Sequence, residues 1–302
     1  MGKWTRRAFI GTGALVGGGD VQSFTLSPSR VVYLADQDTD QVVELYSAPV
    51  DGSASASRLS PSLAPGEVCN GFELTLDGAR AVFVLLGPAQ RRLFVAPVDG
   101  SAPATLVFSS GLLGPFHFRL GPDGAHLALL ASLNVPGRDE LYSLALEAAS
   151  APVRLNARLA PGGDVQGLPL FSADGSELVY FADGDVDDVL ELYATSSDGL
   201  GPVRKLNGAL VECGEVAPGA AQVFDAPGGA RALFVADAER DEVFELYAAP
   251  LDGLAPPRRH EREAAGEAKS GTRRPCTAQK EEDRSAEAAS GLSTPDGGSW
   301  PA

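Results

Sequence analysis

Basic residues, cysteine and histidine are all scarce in this chain, and each scarcity removes a class of function. Lys and Arg number 24 against 40 Asp and Glu, a formal net charge of −16. A nucleic-acid surface needs Lys and Arg to meet phosphates, so that role is excluded. The three cysteines show no metal-binding spacing. Cys69 and Cys213 occupy corresponding connections (EVC and VEC) far apart in the chain, and Cys276 lies in a polar tail, so no structural disulfide is expected. The three histidines are too few for a metal centre: His117 and His126 flank a turn, and His260 lies near the tail. There is no G-x-S-x-G nucleophile elbow and no phosphate-binding Gly loop ending in Lys-Ser/Thr. No apolar run is long enough to span a bilayer as a helix. Trp4 and Trp300 fall in the terminal stretches and carry no role.

What is abundant is turn chemistry, with 35 Gly and 22 Pro beside 44% hydrophobic residues. Residues 170–207, LFSADGSELVYFADGDVDDVLELYATSSDGLGPVRKLN, read as four short strands joined by three turns. Asp-Gly between apolar β-branched or aromatic runs marks a hairpin, because Gly reaches φ > 0 without steric cost. The unit recurs. The third-strand aromatic returns as Tyr46, Phe94, Tyr142, Tyr193 and Tyr247, at intervals of 48, 48, 51 and 54 residues. The turn after it returns as Asp51-Gly52, Asp99-Gly100, Glu147-Ala148, Asp198-Gly199 and Asp252-Gly253. The first turn returns as Pro28-Ser29, Asp77-Gly78, Asp123-Gly124, Asp174-Gly175 and Gly228-Gly229. Three landmarks in phase over five copies predict an all-β propeller of five four-stranded blades, with an open stack of β-meanders as the alternative. Blades one and five are expected to pack together and so remove their exposed edges, although blade five shows no obvious outer strand.

The pattern FSxDGxxLVYxAD…ELYxxxxDGxxxxRLN resembles the WD-like repeat of TolB-type propellers. Residues 170–207 match it best, 24–60, 116–156 and 223–253 less fully. Residues 72–107 are degenerate, with Arg92-Leu93-Phe94 in place of Glu-Leu-Tyr. The resemblance covers about 230 residues and implies a fold; such propellers serve as adaptors, lectin-like modules and accessory domains of peptidases.

The flanks differ from the repeats. Residues 1–22 resemble a twin-arginine export signal, on Thr5-Arg6-Arg7-Ala8-Phe9-Ile10 and a short apolar stretch, without an A-x-A cleavage site. This predicts a periplasmic or extracellular protein, or a cytoplasmic one if the basic start is accidental. Residues 23–256 form the propeller, and 257–302 read as a disordered, dispensable tail rich in Ala, Glu, Arg and Ser. The pattern breaks inside the fifth blade, as a truncated or frameshifted gene end would produce. GGDVQ occurs twice, at 18–22 and 162–166.

Acidic residues concentrate in the repeats: residues 21–254 hold 31 acidic and 13 basic side chains, a net of −18. The loop between second and third strands carries Asp36, Asp38 and Asp40 in repeat one and Asp183, Asp185 and Asp187 in repeat four. Repeat five carries Asp237 and Asp241. Alternate carboxylates suit Ca²⁺, making Asp36, Asp38, Asp40, Asp183, Asp185 and Asp187 candidate ligands, but the calcium-loop Gly and its late Glu are missing. The competing expectation is an acidic face for a basic protein or peptide, through Asp36, Asp38, Asp183, Asp185, Asp237 and Asp241. Glu44, Glu140, Glu191 and Glu245 each stand two residues before the repeat Tyr and are expected to accept hydrogen bonds across blades rather than catalyse. The sequence thus points to a non-enzymatic, exported binding or scaffolding propeller without a cofactor. The alternatives are the propeller portion of a peptidase or carbohydrate-active enzyme lacking its catalytic domain, and a calcium-stabilised structural repeat array.

Overall fold

A computed structural model describes residues 19–111, 114, 116–147 and 151–260. The chain divides after His260 into two units, and every described residue belongs to the first. Among the described residues all regular structure is strand, in five antiparallel four-stranded sheets. The first holds β1 (Val21–Leu26), β2 (Arg30–Ala35), β3 (Glu44–Pro49) and β4 (Ser57–Arg58). The second holds β5 (Val68–Leu74), β6 (Arg80–Leu86), β7 (Arg91–Pro97) and β8 (Thr105–Ser110). The third holds β9 (Phe116–Leu120), β10 (His126–Ala131), β11 (Glu140–Ala145) and β12 (Val153–Arg154). The fourth holds β13 (Val165–Phe171), β14 (Glu177–Ala182), β15 (Glu191–Ser196) and β16 (Arg204–Lys205). The fifth holds β17 (Val216–Ala226), β18 (Gly229–Ala236), β19 (Glu245–Pro250) and β20 (Arg258–Arg259). Each sheet is a meander in chain order, the blade of a five-bladed propeller.

The turns form as their sequence dictates. Gly52, Gly78, Gly100, Gly124, Gly175, Gly199 and Gly253 all have φ between 63° and 75°. The Asp before each accepts a hydrogen bond from the N–H two residues on, at 2.9 Å for Asp51, Asp77, Asp99, Asp123, Asp198 and Asp252 and 3.1 Å for Asp174. These are Asx turns, in which the side chain replaces a main-chain acceptor.

Each blade has two unlike faces. The face carrying the repeat aromatic packs on the preceding blade, and the alternate face, carrying the Leu just before it, packs on the next. Leu45 of β3 meets Phe83 and Phe94, Leu93 meets Leu129 and Tyr142, Leu141 meets Tyr180 and Tyr193, and Leu192 meets Phe234 and Tyr247. Within four blades the aromatic stacks on its cross-strand partner: Tyr33–Tyr46 and Phe83–Phe94 at 5.6 Å, Tyr180–Tyr193 at 5.5 Å and Phe234–Tyr247 at 5.7 Å.

Three expectations are corrected. Blade five does have an outer strand, since Tyr247 pairs with Arg259 and Ala248 with Arg258. The propeller therefore runs past residue 256, beyond the tail boundary expected at 257, because two arginines give no apolar signal. Successive blades share hydrophobic clusters, but among the described residues none joins blade five to blade one. Cys213 is disulfide-bonded, whereas Cys69 is free and buried, so the expectation of no disulfide holds only for the latter. The arginine pair Arg6-Arg7 and residues 261–302 lie outside the described residues. Among those described, no helix is long and apolar enough to cross a membrane.

Candidate functional site

Antiparallel order places the first and third turns of every blade at one end of its sheet. The second-to-third-strand loop and the crossing to the next blade lie at the other end. The acidic loops therefore share an end with the inter-blade linkers, and the geometry there is built from one repeated device. In blade four the Asp183 carboxylate, buried, accepts the backbone N–H of Asp164 through Oδ1 at 2.5 Å and that of Asp188 through Oδ2 at 3.2 Å. In blade five Asp237 takes Glu215 N–H at 2.5 Å and Glu242 N–H at 3.0 Å. In blade one Asp36 takes Asp20 N–H and, at 3.0 Å, Gln41 N–H. Those backbone bonds hold the Asp36 carboxyl below its ordinary range.

Each clamp has two further requirements. The loop residue five after the Asp adopts a left-handed backbone: Gln41 (φ 63°), Asp188 (φ 61°) and Glu242 (φ 60°). Blade three, with Ser132 in place of the Asp, meets the same demand with Gly137 (φ 77°). The linker residue before the donor must be Gly, because a Cβ at Gly163 would collide with the Asp183 carbonyl oxygen, and one at Gly214 would stand 2.8 Å from that of Asp237. This explains the duplicated GGDVQ: both copies present a Gly-Asp pair to a loop carboxylate.

The consequence for the candidate residues is direct. Asp36, Asp183 and Asp237 are buried and spend both oxygens on main-chain donors, so they shape the loop instead of facing a ligand. Asp38, Asp40, Asp185 and Asp187 are exposed, and Asp241 is half-buried. Asp185 pairs with Lys205 at 2.9 Å. Among the described residues no group of three or more His, Cys, Asp or Glu is placed to share an ion. The proposed convergence of Asp36, Asp38 and Asp40, or of Asp183, Asp185 and Asp187, on Ca²⁺ fails because the first member of each set turns inward to the backbone.

The repeat Glu is also an acceptor, but within its own blade. Glu44 takes the Tyr46 hydroxyl at 2.8 Å and Arg58 of β4 at 3.1 Å. Glu140 takes Tyr142 at 2.7 Å, Asn134 at 2.8 Å and Arg154 of β12 at 3.2 Å. Glu191 takes Tyr193 and Lys205, and Glu245 takes Tyr247 at 3.4 Å and Arg259 at 3.1 Å. Strand periodicity puts Glu and Tyr on one face, and the outer strand brings the cation opposite. Burial and the neighbouring Glu raise the Tyr46, Tyr142 and Tyr193 hydroxyls, so they stay protonated donors. Burial opposes the charge on Lys205, yet Glu191 and Asp185 outweigh it and raise its pKa. A basic residue stands 12 positions after the repeat Tyr in four blades, at Arg58, Arg154, Lys205 and Arg259, and that spacing is the sequence signal that marks the partner.

At the opposite end, along the inner strands, lies a depression of about 550 Å³ lined by Leu74, Leu120, Phe171 and Val223, with Glu73 and Arg119 as its charged pair. Glu73 accepts Leu120 N–H at 2.7 Å and stands 3.4 Å from Arg119. Burial raises its carboxyl against those two interactions. Sequence reasoning passes over Glu73, which lies in the degenerate second repeat. The Asx-turn carboxylates share this end, so acidic side chains occupy both ends of the propeller.

No protein-family model matches the chain. No curated protein matches it either. Among solved structures it is similar to a prolyl endopeptidase, studied for the role of inter-domain dynamics in catalysis and specificity. That match has 14% identity and a TM-score of 0.50, and covers 83% of this chain and 44% of that one. It is also similar to TolB from Acinetobacter baumannii, with 16% identity and a TM-score of 0.42, over 76% of this chain and 52% of that one. The chain thus spans about half the length, or less, of these structures. At such identity the likeness to the endopeptidase establishes a shared β-propeller fold.

Proposed function

We propose that the chain is a non-enzymatic binding module that docks a basic protein or peptide at the end bearing the acidic loops. The observation that carries this reading is the clamp itself. Three loops are held in one backbone geometry by Asp36, Asp183 and Asp237, and each presents further carboxylates at its surface, Asp38 and Asp40, Asp185 and Asp187, and Asp241. Rigid loops that display like charge lower the ordering cost of binding a cation-rich partner and speed its encounter. A decalysine peptide titrated against the protein by calorimetry tests this. Binding should weaken steeply as salt rises, and Asp38→Asn with Asp185→Asn and Asp187→Asn should weaken it at low salt without lowering the melting temperature. Salt-insensitive binding, or none, would overturn the reading. Calcium added to the same protein should leave the melting temperature unchanged.

A second reading, the propeller portion of a peptidase, draws on the endopeptidase likeness. An open reading frame encoding a hydrolase directly downstream of the gene would favour it, and its absence would count against it. Export is also part of the proposal, supported by the Thr5-Arg6-Arg7-Ala8-Phe9-Ile10 run of the sequence. Replacing Arg6 and Arg7 by Lys should retain the protein in the cytoplasm; unchanged distribution would defeat that element.

A further inference from the structure

One register position on the innermost strands changes character from blade to blade. It holds Glu73 opposite Val82 in blade two and Arg119 opposite Ala128 in blade three. In blade four it holds Leu170 opposite Val179, and in blade five Gln222 opposite Leu233. The next position is apolar in all four blades: Leu74, Leu120, Phe171 and Val223. Both rows line the depression of about 550 Å³ at the end away from the acidic loops. Blade packing asks for no charge at the variable position, since Leu170 fills it in blade four.

Glu73 and Arg119 stand side by side with bonding capacity left over. Glu73 Oε2 accepts the Leu120 N–H at 2.7 Å, and Oε1 accepts no hydrogen bond among the described residues. Arg119 comes within 3.4 Å of that Oε1 through Nε and donates no hydrogen bond among the described residues. The two side chains are 46% and 32% exposed, Arg119 the more open. Burial raises the Glu73 carboxyl, so its charge leans on Leu120 and Arg119. An anion that took Arg119 would set like charge against Glu73, at an end that already carries Asp77, Asp123 and Asp174. An ammonium that took Glu73 would face the Arg119 guanidinium. A carboxamide avoids both conflicts: its carbonyl accepts from Arg119, its N–H donates to Oε1, and the ion pair is left intact.

We propose that this depression binds a small uncharged molecule with an apolar body and a carboxamide head, the head held between Glu73 and Arg119 and the body against Leu74, Leu120, Phe171 and Val223. The site is separate from the acidic loops and rests on no reading of them. Its volume and its mixture of apolar wall with a few convergent polar groups are those of a small-molecule site. The wall supplies the drive for association, and the donor–acceptor pair sets the orientation and selects the head. A charged head would also have to shed more water than a neutral amide to enter.

The test titrates phenylacetamide, phenylacetate and phenethylamine, three heads on one aromatic body, against the isotope-labelled full chain and follows backbone amide shifts. Phenylacetamide should move the signals of Leu74, Leu120, Phe171 and Val223, and the two ions should bind about tenfold more weakly. Arg119→Met, which keeps the apolar stem and removes the donors, should weaken phenylacetamide about tenfold and favour phenethylamine. Glu73→Gln, which keeps an acceptor for the Leu120 N–H, should raise phenylacetate to the level of the amide. Unchanged dispersion of the spectra shows that each variant folds. If Glu73→Gln does not fold, Arg119→Met, at a half-exposed side chain, carries the test alone. Equal binding of the three heads, tighter binding of either ion, or no shift at those four residues overturns the proposal. Phenylacetamide binding that survives intact in Arg119→Met overturns it as well.

Discussion

Asp183 holds the backbone N–H of Asp164, 19 residues upstream, at 2.5 Å, so one carboxylate fastens an acidic loop to the linker that enters its own blade. The contact joins the two ends of the first hairpin, β13 and β14, and with them the crossing from blade three.

Removing that carboxylate leaves two main-chain donors without acceptors. Asp183→Ala should therefore cost about 2–3 kcal/mol. Asp183→Asn, which keeps one acceptor oxygen, should cost about half as much. Urea titration measures both; a loss below about 0.5 kcal/mol for the alanine variant would mean that water replaces the clamp.

Asp164 should make the fold more stable in mild acid. Burial, with Asp183, Asp139 and Asp187 close by, lifts its carboxyl from 3.8 to about 6. One of its oxygens is buried without a donor. A folded pKa above the unfolded one means that the favourable contribution is complete below the unfolded value and lost as pH rises through the folded value. Asp164→Asn should flatten the fall in stability between about pH 4 and pH 6 and exceed wild type at neutral pH. Urea melts across that range decide it, and an unchanged slope would refute it.

Tyr193 tests the blade packing. Its ring is buried, stacks on Tyr180 and donates to Glu191. Tyr193→Ala should lower stability by about 3–5 kcal/mol through loss of the ring. Tyr193→Phe, which removes only the hydroxyl while Glu191 keeps Lys205, should lower it by about 1 kcal/mol.

Truncation should reveal the contribution of the outer strand of blade five. A chain ending at Ala255 lacks β20 and the pairing of Arg259 with Glu239 and Glu245, at 2.9 and 3.1 Å. It should melt several degrees below a chain ending at His260. Equal melting temperatures would show that β20 adds nothing.

Legibility followed the physics of each element. Asp-Gly turns were readable because Gly tolerates φ > 0 and Asp supplies the local acceptor, and the repeat Tyr because strand alternation fixes its face. The fifth outer strand was not, since Arg258 and Arg259 pair at a solvent-facing edge where no apolar residue is required. The clamp was hidden for a related cause. A run such as Asp183, Asp185 and Asp187 looks like three equivalent ligands, and only the fold shows that the first is buried by the linker that passes over it. The exposure of Leu246 was equally invisible, because it has the same residue type as its buried counterparts Leu45, Leu93, Leu141 and Leu192.

The salt-bridged Glu–Tyr pairs bear on how the molecule comes apart. Because Glu44 finds both Tyr46 and Arg58 inside its own blade, a terminal blade can peel away without stranding a charge on its neighbour. Fraying from either end is then opposed by apolar contact, and amide exchange should quicken from the centre outward. The centre itself is riveted. Arg80 of blade two donates to the Gly124 carbonyl of blade three at 2.6 Å, and Arg138 of blade three donates to the Ala160 carbonyl of the linker into blade four at 2.6 Å, so the joints on either side of blade three should separate last.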